Sequence, residues 1–289
     1  MSDEAKRFFE DSVDLAERVS KNNIEVLFSK CRDVTNLLIE VLNDIINYWG
    51  ILLEKRTFQA LNSKSLMYPV LLNVVYSNVQ YCLILLAHNA TPQVFFSLRT
   101  ALEGMVIALY ADANPNPNVR DKTWALKIFE KSIREASIFK IKDCLRKILC
   151  EVFDEDKCND FIELILDTYQ LLSALVHPIA KIRVDKDRDI VAGQIGIMVG
   201  TLGSYGDFPG YAVLIPLSYN DIDLKLINED LRTILLYLRL CLAVIMYAWL
   251  RKVADNLVDQ EHVHSLYRKI INLKEQVDKL VQEVQNDNM

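Results

Sequence analysis

Residues 234–250, ILLYLRLCLAVIMYAWL, are apolar on every side of a helix apart from Arg239. A helix of that kind must be enclosed, by other helices or by a bilayer. At 17 residues the run sits at the short limit for crossing a membrane, and an arginine near its middle costs about 2.5–3.5 kcal/mol on insertion scales. The run therefore reads as the core helix of a bundle. A second apolar stretch, 66–86, holds Asn73, Ser77, Asn78 and Gln80 and is too polar for a span. The N-terminus, MSDEAKRFFEDS, is charged and has no apolar signal core. No membrane is expected among the partners.

Enclosing a core helix takes several others, and the chain has them. The apolar period stays near 3.6 over most of its length. It predicts helices over 4–20, 23–56 and 65–88, the second with Ile24, Leu27, Phe28, Cys31, Val34, Leu38, Val41, Leu42, Ile45 and Tyr48 on one side. Thr91-Pro92 offers an N-cap and a first-turn proline for a fourth. NPNPN at 114–118 is a loop. Helices over 119–137 and 138–152 follow, then one capped by Asp154 or Asp156 and ended by His177-Pro178, and another over 226–256. Only 8 Gly and 7 Pro are present, and six of those glycines lie within 193–210. The segment 184–218 therefore reads as a small glycine-rich β-hairpin inserted in a helical domain. Its spacing fits neither G-x-G-x-x-G nor a P-loop, so no nucleotide cradle follows. The fold class is predominantly α.

The C-terminus repeats in sevens. Val263, Ile270, Val277 and Val284 alternate with Leu266, Leu273 and Leu280. β-Branched residues at a with leucine at d suit a parallel two-stranded coil. The same stripe also suits one amphipathic helix folding back on its own bundle. The dimeric reading divides the chain into a bundle, 1–256, and a dimerisation helix, 257–289, and makes the protein a homodimer.

Cys31, Cys82, Cys144, Cys150, Cys158 and Cys241 form no C-x-x-C pair, and most sit in apolar helical patterns. That is the usage of a reducing compartment, which predicts a cytoplasmic location and no metal or other cofactor. His262 and His264, two residues apart, point away from each other on a helix, and His88 reads as the end of the third helix. The net charge of −6 gives no global pull toward nucleic acid. Residues 120–147 run against it, with nine Lys or Arg and four acids. Lys127, Lys131 and Arg134, then Lys142 and Arg146, follow helical spacing and form a candidate phosphate-contacting stripe. An ordinary solvated helix face explains them equally.

In VFFSLRTALEGMVIALYA only Arg99 and Glu103 are charged. Four residues apart, they share a face. In so apolar a helix they must pair with each other or with another buried polar group. His177, which ends the apolar run LLSALVHP, is a candidate third member. An R-x-x-x-E helix followed by S-x-x-x-H-P, here Ser173 to Pro178, resembles the HEPN superfamily, in its prokaryotic branches tied to abortive infection and toxin–antitoxin systems. The likeness covers about 60–180. It implies a four-helix bundle that commonly dimerises, and in active members a metal-independent endoribonuclease using an Arg and a His four to six residues apart. Gln170, Leu171 and Leu172 stand where that Arg belongs. The missing cation would have stabilised charge on the phosphate.

Three functions follow as expectations. The first is a non-catalytic binding or regulatory protein, placed in defence by the resemblance, that presents a dimeric helical surface to RNA or a protein partner. The second is a divergent endoribonuclease in which His177, Arg99, Glu103 and Ser173 form the catalytic set. The third is a membrane-associated protein anchored through 234–250.

Overall fold

The computed structural model describes residues 3–53, 65–113, 142–176, 180–185, 188–192, 218–219, 221–253 and 263–287. The architecture is predominantly helical. Helix α1 (Asp3–Lys30) and α2 (Arg32–Leu53) are nearly continuous, with a break at Cys31. The expected gap at 21–22 is absent, because nothing there stops a helix. Asn23, fully buried, instead donates from Nδ2 to the Ala87 carbonyl at 3.1 Å and accepts the Tyr219 N–H at 3.3 Å. At the actual break, Thr35 Oγ1 donates to the Cys31 carbonyl at 2.7 Å. Side-chain bonding back to a carbonyl one turn earlier bends helices.

Helix α3 (Met67–Ala87) passes through a π-helical stretch, Leu71–Tyr76. It runs antiparallel to α1–α2: Ser20 meets His88 at one end, and Trp49 stacks on Tyr68 at the other. A turn through Asn89, at φ 51°, reverses the chain into α4 (Thr91–Ala113). Asn89 Nδ2 donates to Asp223 Oδ2 at 3.0 Å, which ties the turn to the start of the helix that begins at Asp221. The Ala90 carbonyl accepts the first bonds of α4. Thr91 therefore lies inside the helix, and its hydroxyl is buried without a partner rather than capping.

Helix α4 comes close to α3 at Gly104. A Cβ there would lie 3.0 Å from Val74 Cγ1 and 3.3 Å from Val70 Cγ1. Gly104→Leu is accordingly expected to lower stability by about 1–3 kcal/mol through overpacking. Gly104→Ala should cost less, since alanine regains about 1 kcal/mol of helix propensity. Urea midpoints of the two variants check this.

Helices α5 (Lys142–Cys150) and α6 (Glu155–Val176) follow. Strands β1 (Ala180–Asp185) and β2 (Arg188–Ala192) pair antiparallel, with Ile182 opposite Ile190. These strands contain no glycine and precede the glycine-rich run. They overlap only the start of the glycine-rich hairpin expected over 184–218, whose glycines, at 193–210, lie outside the described residues.

Helix α7 starts at Asp221, has a π-helical stretch at Ile227–Leu231 and continues over Arg232–Val253. It packs against α2, α4, α5, α6 and α8 (Val263–Asp287), and every residue from Cys241 to Leu250 is buried. Its all-round apolarity is thus satisfied by the chain itself. Arg239 is the exception that the fold accommodates. Its Nε donates to Asp44 Oδ2 at 2.6 Å, and Nη1 pairs with Glu40. Burial opposes the charged guanidinium, but the hydrogen bond and field of Asp44, with Glu40 and Glu283, outweigh it and hold its pKa above the ordinary value.

The heptad face of α8 also turns inward. Ile270, Leu273, Val277 and Leu280 are 4%, 3%, 1% and 2% exposed, and Val284 packs partly buried against the same core. Val263 and Leu266 belong to α8, but their side chains lie outside the described residues. The seam expected between two chains is therefore formed within one. α8 belongs to the bundle core rather than standing off as a dimerisation helix. The Lys157–Asp278 pair at 3.2 Å ties it further to α6.

Candidate functional site

Arg99 and Glu103 share one face of α4, and Tyr169 and Ser173, also four residues apart, share one face of α6. The two helices pack together. Arg99 Nη2 donates to the Tyr169 hydroxyl at 2.8 Å, and its guanidinium carbon lies 5.0 Å from the Tyr169 ring centroid. The Tyr169 hydroxyl in turn donates to Glu103 Oε1 at 3.4 Å. The expected Arg99–Glu103 association is therefore relayed through a phenol that is only 4% exposed. A cation over an aromatic face contributes about 0.5–2 kcal/mol, more where water is excluded.

Two donors in the cluster remain open. Arg99 Nε and Ser173 Oγ are both closed off from solvent and have no hydrogen-bond partner. Buried donors without acceptors cost about 1–3 kcal/mol each. Among the described residues, no base is hydrogen-bonded to the Ser173 hydroxyl. Among the described residues, the arrangement holds a positive charge in place beside a phenol that is hydrogen-bonded to a carboxylate.

Of the proposed catalytic set, the fold joins Arg99 and Glu103 through Tyr169, and Ser173 lies one turn beyond Tyr169 on α6 without a hydrogen-bond partner. His177 lies outside the described residues. Tyr169, which links the set, is absent from the sequence reading. Its signal was available: it stands one turn before Ser173, a hydroxyl-bearing aromatic in an apolar helix. Of the basic stripe, Lys127, Lys131 and Arg134 lie outside the described residues. Lys142 is half-exposed and Arg146 exposed, both on α5.

That helix is joined to α6 by a Cys150–Cys158 disulfide, with Cα atoms 5.0 Å apart. Six unpaired thiols were expected, because a separation of eight residues hides the pairing that the α5–α6 turn creates. Cys31, Cys82 and Cys241 are free and buried. Burial pushes Cys31 and Cys82 up and Cys241 to about 12. Alkylation before reduction is expected to leave Cys150 and Cys158 as a linked peptide pair by mass spectrometry. Cys31, Cys82 and Cys241 should react only after unfolding.

Among the described residues, three helices are long and apolar enough to cross a membrane: Met67–Ala87, Thr91–Ala113 and Asp223–Lys252. The fold buries 83% of the apolar window in the last but 39% of that in the first. Compared with family models, curated proteins and solved structures, the chain shows no match.

Proposed function

We propose that this chain is a non-catalytic, HEPN-like binding or regulatory protein acting in defence and presenting its helical surface to RNA. The observation that carries the non-catalytic reading is the engagement of Arg99. A divergent nuclease built on His177 needs a cation to replace the arginine missing at 170–172. The guanidinium closest to that role is held by the Tyr169 hydroxyl and ring, with Glu103 beyond them. A charge so neutralised is poorly placed to stabilise a phosphorane-like transition state. Lys142 and Arg146, on the solvent side of α5, are the described part of the surface that would meet phosphates.

The endoribonuclease reading keeps one observation in its favour: Arg99 Nε and Ser173 Oγ have no protein acceptor. For the membrane reading, the window it relies on is 83% buried by the chain's own helices, and that of Met67–Ala87 is 39% buried.

One assay separates these readings. Single-stranded RNA is incubated without divalent metal, with the wild type, His177→Ala and Lys142→Ala/Arg146→Ala, at low and moderate salt. Salt-sensitive binding without cleavage, weakened in the double variant and unchanged in His177→Ala, is expected. Cleavage that disappears in His177→Ala would establish the nuclease instead, and absence of both binding and cleavage would point to a protein partner.

A further inference from the structure

Helix α2 carries a second heptad stripe that is exposed among the described residues. Ile39, Asn43, Ile46, Gly50 and Leu53 are spaced 4-3-4-3 and are all exposed, with Ile39, Ile46 and Leu53 at 41%, 46% and 37%. Spacing of that kind makes a seam for a facing helix. The buried stripe of α2, with Val34, Leu38, Val41, Ile45 and Tyr48, lies on its other side.

The stripe is also cleared of charge. Between 36 and 53 the only exposed charged residue of α2 is Glu40, and Arg239 pairs with it. Exposed positions of α8, in contrast, hold Arg268, Lys274, Glu275, Asp278 and Lys279. Depletion of charge with large aliphatics retained marks the centre of a protein interface rather than ordinary surface. The clearing continues onto α3, which packs beside α2, has no Asp, Glu, Lys or Arg and is 39% buried by its own chain.

We propose that this face is where a second copy of the chain docks, with α2 antiparallel to its counterpart about a two-fold axis at Ile46. The stripe is nearly symmetric about Ile46, with Ile39 and Leu53 seven residues away on either side, Asn43 three before it and Gly50 four after. Such an axis sets Ile39 opposite the second copy's Leu53, Ile46 opposite its Ile46, and Asn43 within one residue of its Gly50. A Cβ at Gly50 would meet nothing within 4 Å, so an asparagine side chain has room there. A parallel arrangement would instead set glycine against glycine and leave a gap. Charge supports the same occupant: each copy carries −6, and two like-charged bodies meet most cheaply where neither presents charge. Lipid fits less well. Asn36, Asn43 and Asn47 would have to enter the apolar layer. The proposal is independent of the RNA reading.

The test is sedimentation of the full-length chain over a range of concentrations. Wild type is expected to be dimeric, and Ile46→Asp at least tenfold weaker in association with an unchanged far-UV spectrum. Ile271→Asp, on the exposed side of α8 at 48%, should leave the dimer intact. Oxidative cross-linking fixes the geometry. A mixture of Ile39→Cys and Leu53→Cys chains should link, whereas Ile39→Cys alone should not, its two copies being about 21 Å apart along the helices at 1.5 Å per residue. A monomeric wild type, a dimer indifferent to Ile46→Asp, or self-linking of Ile39→Cys would each overturn the proposal. Flotation of a monomer with phosphatidylcholine vesicles, lost in Ile46→Asp, would give the face to lipid.

Discussion

Asp112→Ala is expected to lower unfolding free energy by about 3–4 kcal/mol, a large share of the 5–15 kcal/mol available to a folded domain. Asp112 ends α4 and gathers four donors. The Ser65 hydroxyl at 2.7 Å and the Met67 N–H at 3.0 Å bond Oδ2, the Leu66 N–H bonds Oδ1 at 2.7 Å, and Trp249 Nε1–H reaches Oδ2 at 2.8 Å. The carboxylate therefore caps the first turn of α3 from a different helix and anchors it to α7. It does the work of an N-cap side chain without being local. Truncation leaves an indole N–H and two backbone N–H groups without their acceptor, each worth about 1–3 kcal/mol, partly regained from water at the half-buried Ser65 end. Urea unfolding followed by tryptophan fluorescence reads the loss. A variant within 1 kcal/mol of wild type would mean that the four bonds merely compensate the desolvation of the carboxylate.

The same group gives the fold a pH dependence with a definite sign. Burial raises the Asp112 pKa above its ordinary 3.8, and the bonds from Leu66, Ser65, Trp249 and Met67 pull it only part of the way back. The folded state therefore keeps this proton to higher pH than the unfolded chain does. Its contribution is fully present below 3.8, is lost as pH rises through the raised folded value, and is constant beyond it. Asp112→Asn, which cannot titrate, should lack that downward slope when unfolding free energy is measured between pH 4 and 8.

Arg239→Met is expected to cost about 2–4 kcal/mol, and the reason lies in what it leaves behind. Asp44 is 14% exposed and faces Arg239 at 2.6 Å, so removing the guanidinium strands a carboxylate in the bundle wall. Glu40, at 53% exposed, loses little. The prediction sharpens in the double variant Arg239→Met/Asp44→Leu. Replacing a buried pair by packed apolar groups is often neutral or better, so most of the single-variant loss should return. A double variant as unstable as the sum of its singles would show that the two charges are not coupled.

These contacts show why part of the molecule was legible in the sequence. The helix spans were, because apolar spacing and the composition of 234–250 already demand a packed bundle. So was the need for buried partners for Arg99 and Arg239, since neither ion can sit alone in an apolar helix. Their partners were not legible. Asp44 lies 195 residues from Arg239, Tyr169 is 70 from Arg99, and Asp112 is 137 from Trp249. Periodicity reports which side of a helix is apolar and carries no information about what meets it.

The two heptad stripes make that limit concrete. The α8 stripe has the stronger a/d pattern, yet it seats on α7 of its own chain. The weaker α2 stripe, interrupted by Asn43 and Gly50, is the one left facing solvent. By itself, the amino-acid sequence determined that this chain must build a helical bundle around residues 234–250. Only the tertiary structure decided which apolar stripe closes that bundle and which remains outside it. A seam of isoleucine, valine and leucine is satisfied equally by any apolar helix, and loop lengths and chain topology choose among them.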